Sequence, residues 1–261
     1  MNKIPLYYWV LMVLFSVLSI NPILAQGPPI TSDKPIMLGS KRTVIKTLSE
    51  VRRTQAGSVI NTPLMAHYLP TSNTLLGLHI PLVNHQPVSS NNNFSLGDIQ
   101  ILGKYQFYRK DNTGKTFRMV AKMLHTLPSG KKINADGISN GYYQAYTAIV
   151  AGYESIKYGI SNELGINFIP QNKRHEWRYK LGFGLPLLKP SYPVKQLNLY
   201  FEYQNRWFFQ QNEYQFLYAQ GMQYAKGRMT FETAFQWPLL QKMPLQQTIQ
   251  YSWFLGFRYV I

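Results

Sequence analysis

Cysteine is absent from this 261-residue chain. That excludes a disulfide framework, a thiolate metal site, a cysteine nucleophile and a lipid-modified N-terminal cysteine. It also suits a compartment where stray thiols would be oxidised. Acidic residues are scarce, 11 Asp and Glu against 27 Lys and Arg, which leaves a formal charge of +16. Charged residues of both signs make up only 15%, where a soluble protein carries about 25%. Beyond the first segment no apolar run approaches the roughly 20 residues that a membrane-spanning helix needs. The basic residues are dispersed along the chain and match no recognition motif, so nucleic acid is not an expected partner. No residue pattern suggests a metal site or a cofactor.

What the chain does have is aromatic rings, 15% of residues with 19 Tyr and 14 Phe, and a tripartite start. Lys3 supplies a charged head, Leu6–Phe15 is unbroken apolar sequence, and Asn21-Pro22 followed by Ile23-Leu24-Ala25 offers a cleavage site before Gln26. These are the parts of a secretory signal peptide. The expected organisation is therefore a signal peptide over 1–25, cleaved near Ala25, a basic N-terminal segment over 26–57, and one large β-domain over 58–261. Within the middle segment Gln26–Ser40 reads as a flexible lead-in, and Lys41–Arg52 is a candidate first strand.

The rest of the chain alternates with period two. Gly97–Lys132 reads as a hairpin: Ile99, Ile101, Tyr105 and Phe107 oppose Asp98, Gln100, Lys104 and Gln106, and then Phe117, Met119, Ala121, Met123 and Leu127 oppose Arg118, Lys122 and Thr126. Ile156–Phe168, His175–Leu185, Leu197–Tyr203, Met229–Trp237 and the final run from Ile249 to Ile261 repeat the pattern. The final run sets Ile249, Tyr251, Trp253, Leu255, Phe257, Tyr259 and Ile261 on a single face. A soluble β-sandwich also alternates, but its strands centre near 5–6 residues. Runs of about 9–14 residues, aromatics near the strand ends and an export signal point instead to an antiparallel transmembrane β-barrel in the bacterial outer membrane. Alternation of long and short connections, with both ends of the barrel on the periplasmic side, predicts twelve strands within a range of ten to twelve, provided that Lys41–Arg52 is one of them. Ile156–Phe168 is expected to begin its strand directly after Glu154-Ser155, and Pro238–Gln247 to be a long loop.

Two short motifs carry a likeness. Gly97-Asp98 opens a strand that contains Lys104-Tyr105, and the next strand ends in Leu127-Pro128-Ser129-Gly130. Over about 35 residues this resembles the outer-membrane transporter family associated with phenol-degradation pathways. The resemblance implies a barrel for uptake of small hydrophobic or aromatic compounds. Ile261 departs from the terminal Phe common among barrels.

The polar face supplies the candidate site. Lys104, Arg118, Lys122, Arg178, Lys180, Arg228 and Arg258, together with Lys157, are expected to face the lumen beside Asp98, Glu163, Glu176, Glu202 and Glu232. Such a ladder either cross-links the interior or leaves a positive lumen that favours anionic or polar-aromatic solutes. Catalysis finds no foothold: His67, His79, His85, His125 and His175 sit in no Ser/His or Asp/His motif. His67 and His79 are read as flanking a turn, and His125 as facing lipid. The expected function is a passive channel for small solutes. A structural or assembly subunit of a surface machine is the second reading and a lipid-modifying barrel enzyme the third. Expected partners are outer-membrane lipid, the solutes, and the barrel assembly machinery acting on the C-terminal strand.

Overall fold

A computed structural model of the protein describes residues 29–88, 93–132, 139–171, 174–188 and 195–261. The expected signal peptide lies outside them. The described chain is all β. Its strands are β1 (Arg42–Thr54), β2 (Gly57–Leu69), β3 (Thr74–Pro87), β4 (Asn93–Leu96), β5 (Gln100–Asn112), β6 (Lys115–Thr126) and β7 (Gln144–Ser155). They continue as β8 (Gly159–Phe168), β9 (Glu176–Pro186), β10 (Lys195–Phe208), β11 (Glu213–Lys226), β12 (Met229–Lys242) and β13 (Ile249–Val260). Pairing is antiparallel throughout, and β1 closes the sheet by pairing with both β2 and β13. The short β4 and the long β5 pair with successive parts of β3, so together they make one interrupted wall strand. The result is a closed twelve-stranded antiparallel barrel, as the alternation and the loop parity predicted, with the ambiguous Lys41–Arg52 stretch serving as the closing strand.

Burial is inverted relative to a soluble domain. Leu64, Leu76, Ile149, Leu164, Trp207, Phe231 and Trp253 are exposed on the outer wall, while Glu163, Glu176, Glu202, Asn167, Asn198 and Gln223 are buried inside. Exposed apolar side chains covering a whole wall cannot be stable in water, and polar residues accumulate inside only where a hydrated or ion-paired lumen receives them. Rings cluster along the outer face, among them Phe231 with Phe257 at 5.2 Å and Phe235 with Tyr251 at 5.8 Å between centroids. No described helix is long and apolar enough to cross a membrane; the strands have the length to do so.

The structure corrects several boundaries. β8 starts at Gly159, so Ile156 and Lys157 lie in a turn, and Lys157 is exposed at the rim and not in the lumen. β12 continues through Pro238 to Lys242. Leu217 pairs with Pro238 and Phe216 with Leu240, so a bulge at Leu239 absorbs the proline that cannot donate to the ladder. Ile249 leaves the face it was expected to share. Arg53 pairs with Tyr251 but Thr54 with Ile249, and the intervening bulge turns Ile249 inward to 2% exposure.

The two motif segments meet. Across the break from β4 to β5, four steps (Leu96 to Gln100) oppose three on β3 (His79 to Leu82). The carboxylate of Asp98, fully buried in that break, accepts the Gly130 N–H at 2.9 Å and the Gly141 N–H at 3.1 Å. Ile99 N–H donates to Ser129 Oγ at 2.9 Å, and Leu127 N–H to the Ile99 carbonyl at 2.8 Å. A Cβ on Gly130 would lie 2.3 Å from the Gly97 carbonyl carbon, so only glycine fits. Gly97, Asp98, Leu127, Ser129 and Gly130 thus form a latch across the break in the wall. Asp98 is not a lumen charge.

Candidate functional site: an occupied lumen

Residues 29–40, expected to be a flexible lead-in, instead thread the barrel. The segment has no strand partner, and three kinds of contact fix it. First, Glu202 on β10 accepts its backbone donors: Ile30 N–H at 2.8 Å, Thr31 N–H at 2.9 Å, Thr31 Oγ at 2.8 Å and Ser32 N–H at 2.5 Å. A carboxylate receiving several N–H groups is a strong anchor, since hydrogen bonds to charged acceptors contribute about 1.5–3 kcal/mol each. Second, the segment carries its own apolar pegs. Ile30 packs with Tyr200, Ala234 and Phe254, and Met37 with Val44, Leu69, Val120 and Val150. Third, small residues in the wall make room: a Cβ on Gly152 would stand 2.7 Å from the Pro35 ring, and one on Gly221 2.4 Å from Ile30 Cδ1.

Between the pegs lie the charges. Asp33 is ion-paired with Lys104 on β5 through Oδ1 and with Lys122 on β6 through Oδ2, the latter at 2.8 Å. Lys122 also meets Glu163 on β8 at 3.2 Å, and Glu163 accepts from Tyr146 Oη at 2.5 Å. Burial pushes the Asp33 carboxyl up, but the two ammonium groups outweigh it and hold the carboxyl well below its usual range. Lys34 pairs with Glu154. Lys180 and Gln204 both donate to the Thr31 carbonyl, at 3.3 and 3.1 Å.

The structure gathers some of the sequence-derived candidates and scatters others. Lys104, Lys122, Lys180 and Glu202 surround the threaded segment. Arg178 pairs with Glu176, which also accepts from Arg206 at 2.9 Å. Glu232 lies 3.5 Å from Lys46 and accepts from Gln223 at 2.9 Å. Arg258 reaches Thr230 Oγ at 3.4 Å. Arg118 sits near the rim, 3.4 Å from Asp111. Arg228 is in the β11–β12 turn and exposed, because the strand ends at Lys226. Sequence reading missed Lys46, Arg206 and above all Asp33 and Lys34. Lys46 sat in a stretch read without clear faces, Arg206 beyond the Leu197–Tyr203 run where β10 in fact continues to Phe208, and the last two in a segment with no periodicity to read.

Two histidines also turn inward. His67 on β2 and His79 on β3 approach through their Nε2 atoms at 2.8 Å, lining with Met65 a cavity of about 330 Å³ beside Asp33. They flank the β2–β3 turn, as expected, and their rings face the lumen. His125 instead bonds the Tyr143 hydroxyl at 2.5 Å. A larger depression of about 650 Å³ lies on the outer wall, where Gly103, Ala121 and Thr147 are small; it faces lipid.

No protein-family model matches the chain, and no curated protein matches it. Solved structures do. The COG4313 outer membrane channel from Pseudomonas putida F1 superposes with a TM-score of 0.60 at 10% identity, covering 89% of this chain and 100% of that one. The NanC porin gives 0.58 at 7% identity, over 82% and 98%. The KdgM porin gives 0.53 at 10% identity, over 83% and 98%. At such identities the shared property is the fold: this chain has the barrel fold of outer-membrane channels.

Proposed function

We propose that the protein is a bacterial outer-membrane channel for small solutes, closed at rest by its own residues 29–40. The observation that carries this reading is the segment's mode of attachment. It is held by ion pairs, hydrogen bonds and two apolar pegs, with no strand pairing, so it can leave while the twelve wall strands stay hydrogen-bonded. A permanently filled barrel would more simply be filled by wall side chains. The wall around the segment carries Lys46, Lys104, Lys122, Lys180, Arg178, Arg206 and Arg258 against Glu154, Glu163, Glu176, Glu202 and Glu232. This balance favours anionic solutes, and the resemblance to the phenol-associated transporter family favours aromatic ones. No connection between strands carries a long apolar run in the sequence, which weighs against the assembly-subunit reading. The final strand presents Tyr251, Trp253, Leu255, Phe257 and Tyr259 outward as the element that the assembly machinery would read.

The test is reconstitution in planar bilayers of the full mature chain and of a variant lacking 29–40. The variant should conduct at least several-fold more than the full chain, with a reversal potential in a salt gradient on the anion side. If neither protein conducts, the channel reading fails. Cation selectivity would refute the solute preference.

A further inference from the structure

We propose that Lys104 and Lys122 form a binding site for the carboxylate of a small monocarboxylate solute, and that Asp33 is a tethered occupant of that site which the free solute displaces. The inference rests on the channel reading for its consequence, which is opening of the lumen, and on geometry for the site itself.

The two ammonium groups come from adjacent strands, where Lys104 and Lys122 are direct cross-strand partners. Each takes a different oxygen of one carboxylate, Lys104 the Oδ1 and Lys122 the Oδ2 of Asp33. Like charges placed opposite one another across a ladder repel, so the pair is stable only with an anion between them. Glu163 offsets one of the two. The second counter-charge comes from the segment, and it departs whenever the segment does. Leaving a buried cation unpaired is strongly unfavourable, so the open lumen has a built demand for an anion at this point. The demand is for a carboxylate in particular, because two donors facing two oxygens match a planar, two-oxygen acceptor.

The body of the ligand has somewhere to go. The cavity of about 330 Å³ opens beside Asp33 and is walled by Met65, Pro63, Pro81 and Leu124, with the His67–His79 pair on one side. That is the lower end of the volume range of small-molecule sites, about 300–1,000 Å³. A small apolar or aromatic ring fits beside the lysine pair even before the segment withdraws.

Competition follows from the tether. Asp33 lies nine residues ahead of β1 (42 − 33), and a tether that short, pinned besides by Ile30 and Met37, presents it at millimolar effective concentration or above. A free carboxylate must therefore reach millimolar levels to compete, and by reciprocity it loosens the segment as strongly as the segment weakens it.

The test uses the mature chain in detergent, with folding verified by heat-modifiable migration, and fluorine NMR line broadening of 4-fluorobenzoate against its neutral isostere 4-fluorobenzamide. Wild type should bind the benzoate weakly. Asp33→Ala should tighten it at least tenfold, and the variant lacking 29–40 does the same job should the substitution disturb folding. Adding Lys104→Met to Asp33→Ala, which leaves Lys122 paired with Glu163, should abolish the gain. Benzamide should bind no variant appreciably. Equal binding of benzamide, an Asp33→Ala affinity equal to wild type, or full retention after Lys104→Met would each overturn the carboxylate site. Bilayer conductance of the same proteins reports separately: benzoate should raise wild-type current and benzamide should not. A deletion variant that binds benzoate but never conducts would leave the site standing and sink the channel.

Discussion

The closed state depends on one missing methyl group. Gly152 lies toward the end of β7, paired with Arg118, and a Cβ there would lie 2.7 Å from Cδ and Cγ of Pro35, while the nearest wall atom, the Ile160 carbonyl oxygen, would be 3.4 Å away. Gly152→Ala therefore strikes the threaded segment and barely touches the barrel. Overpacking of this kind costs about 1–3 kcal/mol, and the cost falls only on the closed state, since an empty lumen has room for the methyl. With 1.4 kcal/mol per factor of ten, the open population should rise roughly 5- to 150-fold, and further for Gly152→Val. The assay is open probability in planar bilayers for wild type, both variants and the 29–40 deletion, ordered as wild type < Ala < Val ≤ deletion. Barrel stability supplies the control: replacing a strand glycine with alanine should leave urea resistance unchanged or better by about 0.5–1 kcal/mol. If Gly152→Val gates like wild type while the deletion opens, Pro35 is not seated against Gly152 and the reasoning fails.

The remaining predictions concern the latch, the clamp and the lipid wall. Asp98→Ala leaves the Gly130 and Gly141 N–H groups without their acceptor, and at about 1–3 kcal/mol for each orphaned group the barrel should lose about 2–6 kcal/mol in urea unfolding, with faster amide exchange at those two glycines. A loss below about 1 kcal/mol would show that the latch is not structural. Because the Asp33 carboxyl is held below its free value of 3.8, its contribution to closure is complete above that value and disappears as pH falls through the lower, closed-state one. Conductance should therefore rise in wild type as pH falls below about 4, and an acid rise of the same size in Asp33→Ala would contradict the clamp. Leu164→Arg places a charge on an exposed, mid-strand position of the outer wall and should cost about 2–4 kcal/mol in lipid bilayers. No change there would mean that this wall does not face lipid.

Much of this was legible in the sequence because period two is written locally. Trp177, Tyr179, Leu181, Phe183 and Leu185 announce one face and Glu176, Arg178 and Lys180 the other, whatever their neighbours are. The places where reading failed are those where the backbone adds a residue. The bulges at Leu239 and Gln250 each invert the faces beyond them; Pro238 hints at the first without fixing which residue is extra, and nothing beside Ile249 marks the second. Histidines show the same limit. His67 and His79 are twelve positions apart, and only the β2–β3 register brings their Nε2 atoms together. Gly97-Asp98 and Leu-Pro-Ser-Gly were visible as strand punctuation, but that one carboxylate bonds the far end of the other motif is a fact of the folded wall.

Three properties are written in the residues alone: the chain is all β, its apolar face is too continuous for water, and twelve strands could close. Those properties follow from side-chain alternation, which each strand carries alone. What fills the barrel was decided only in three dimensions. Residues 29–40 have no periodicity and no intrinsic preference for one shape. Their conformation is dictated by what the lumen offers: a carboxylate at Glu202, two ammonium groups at Lys104 and Lys122, and glycines where the wall would otherwise collide with them.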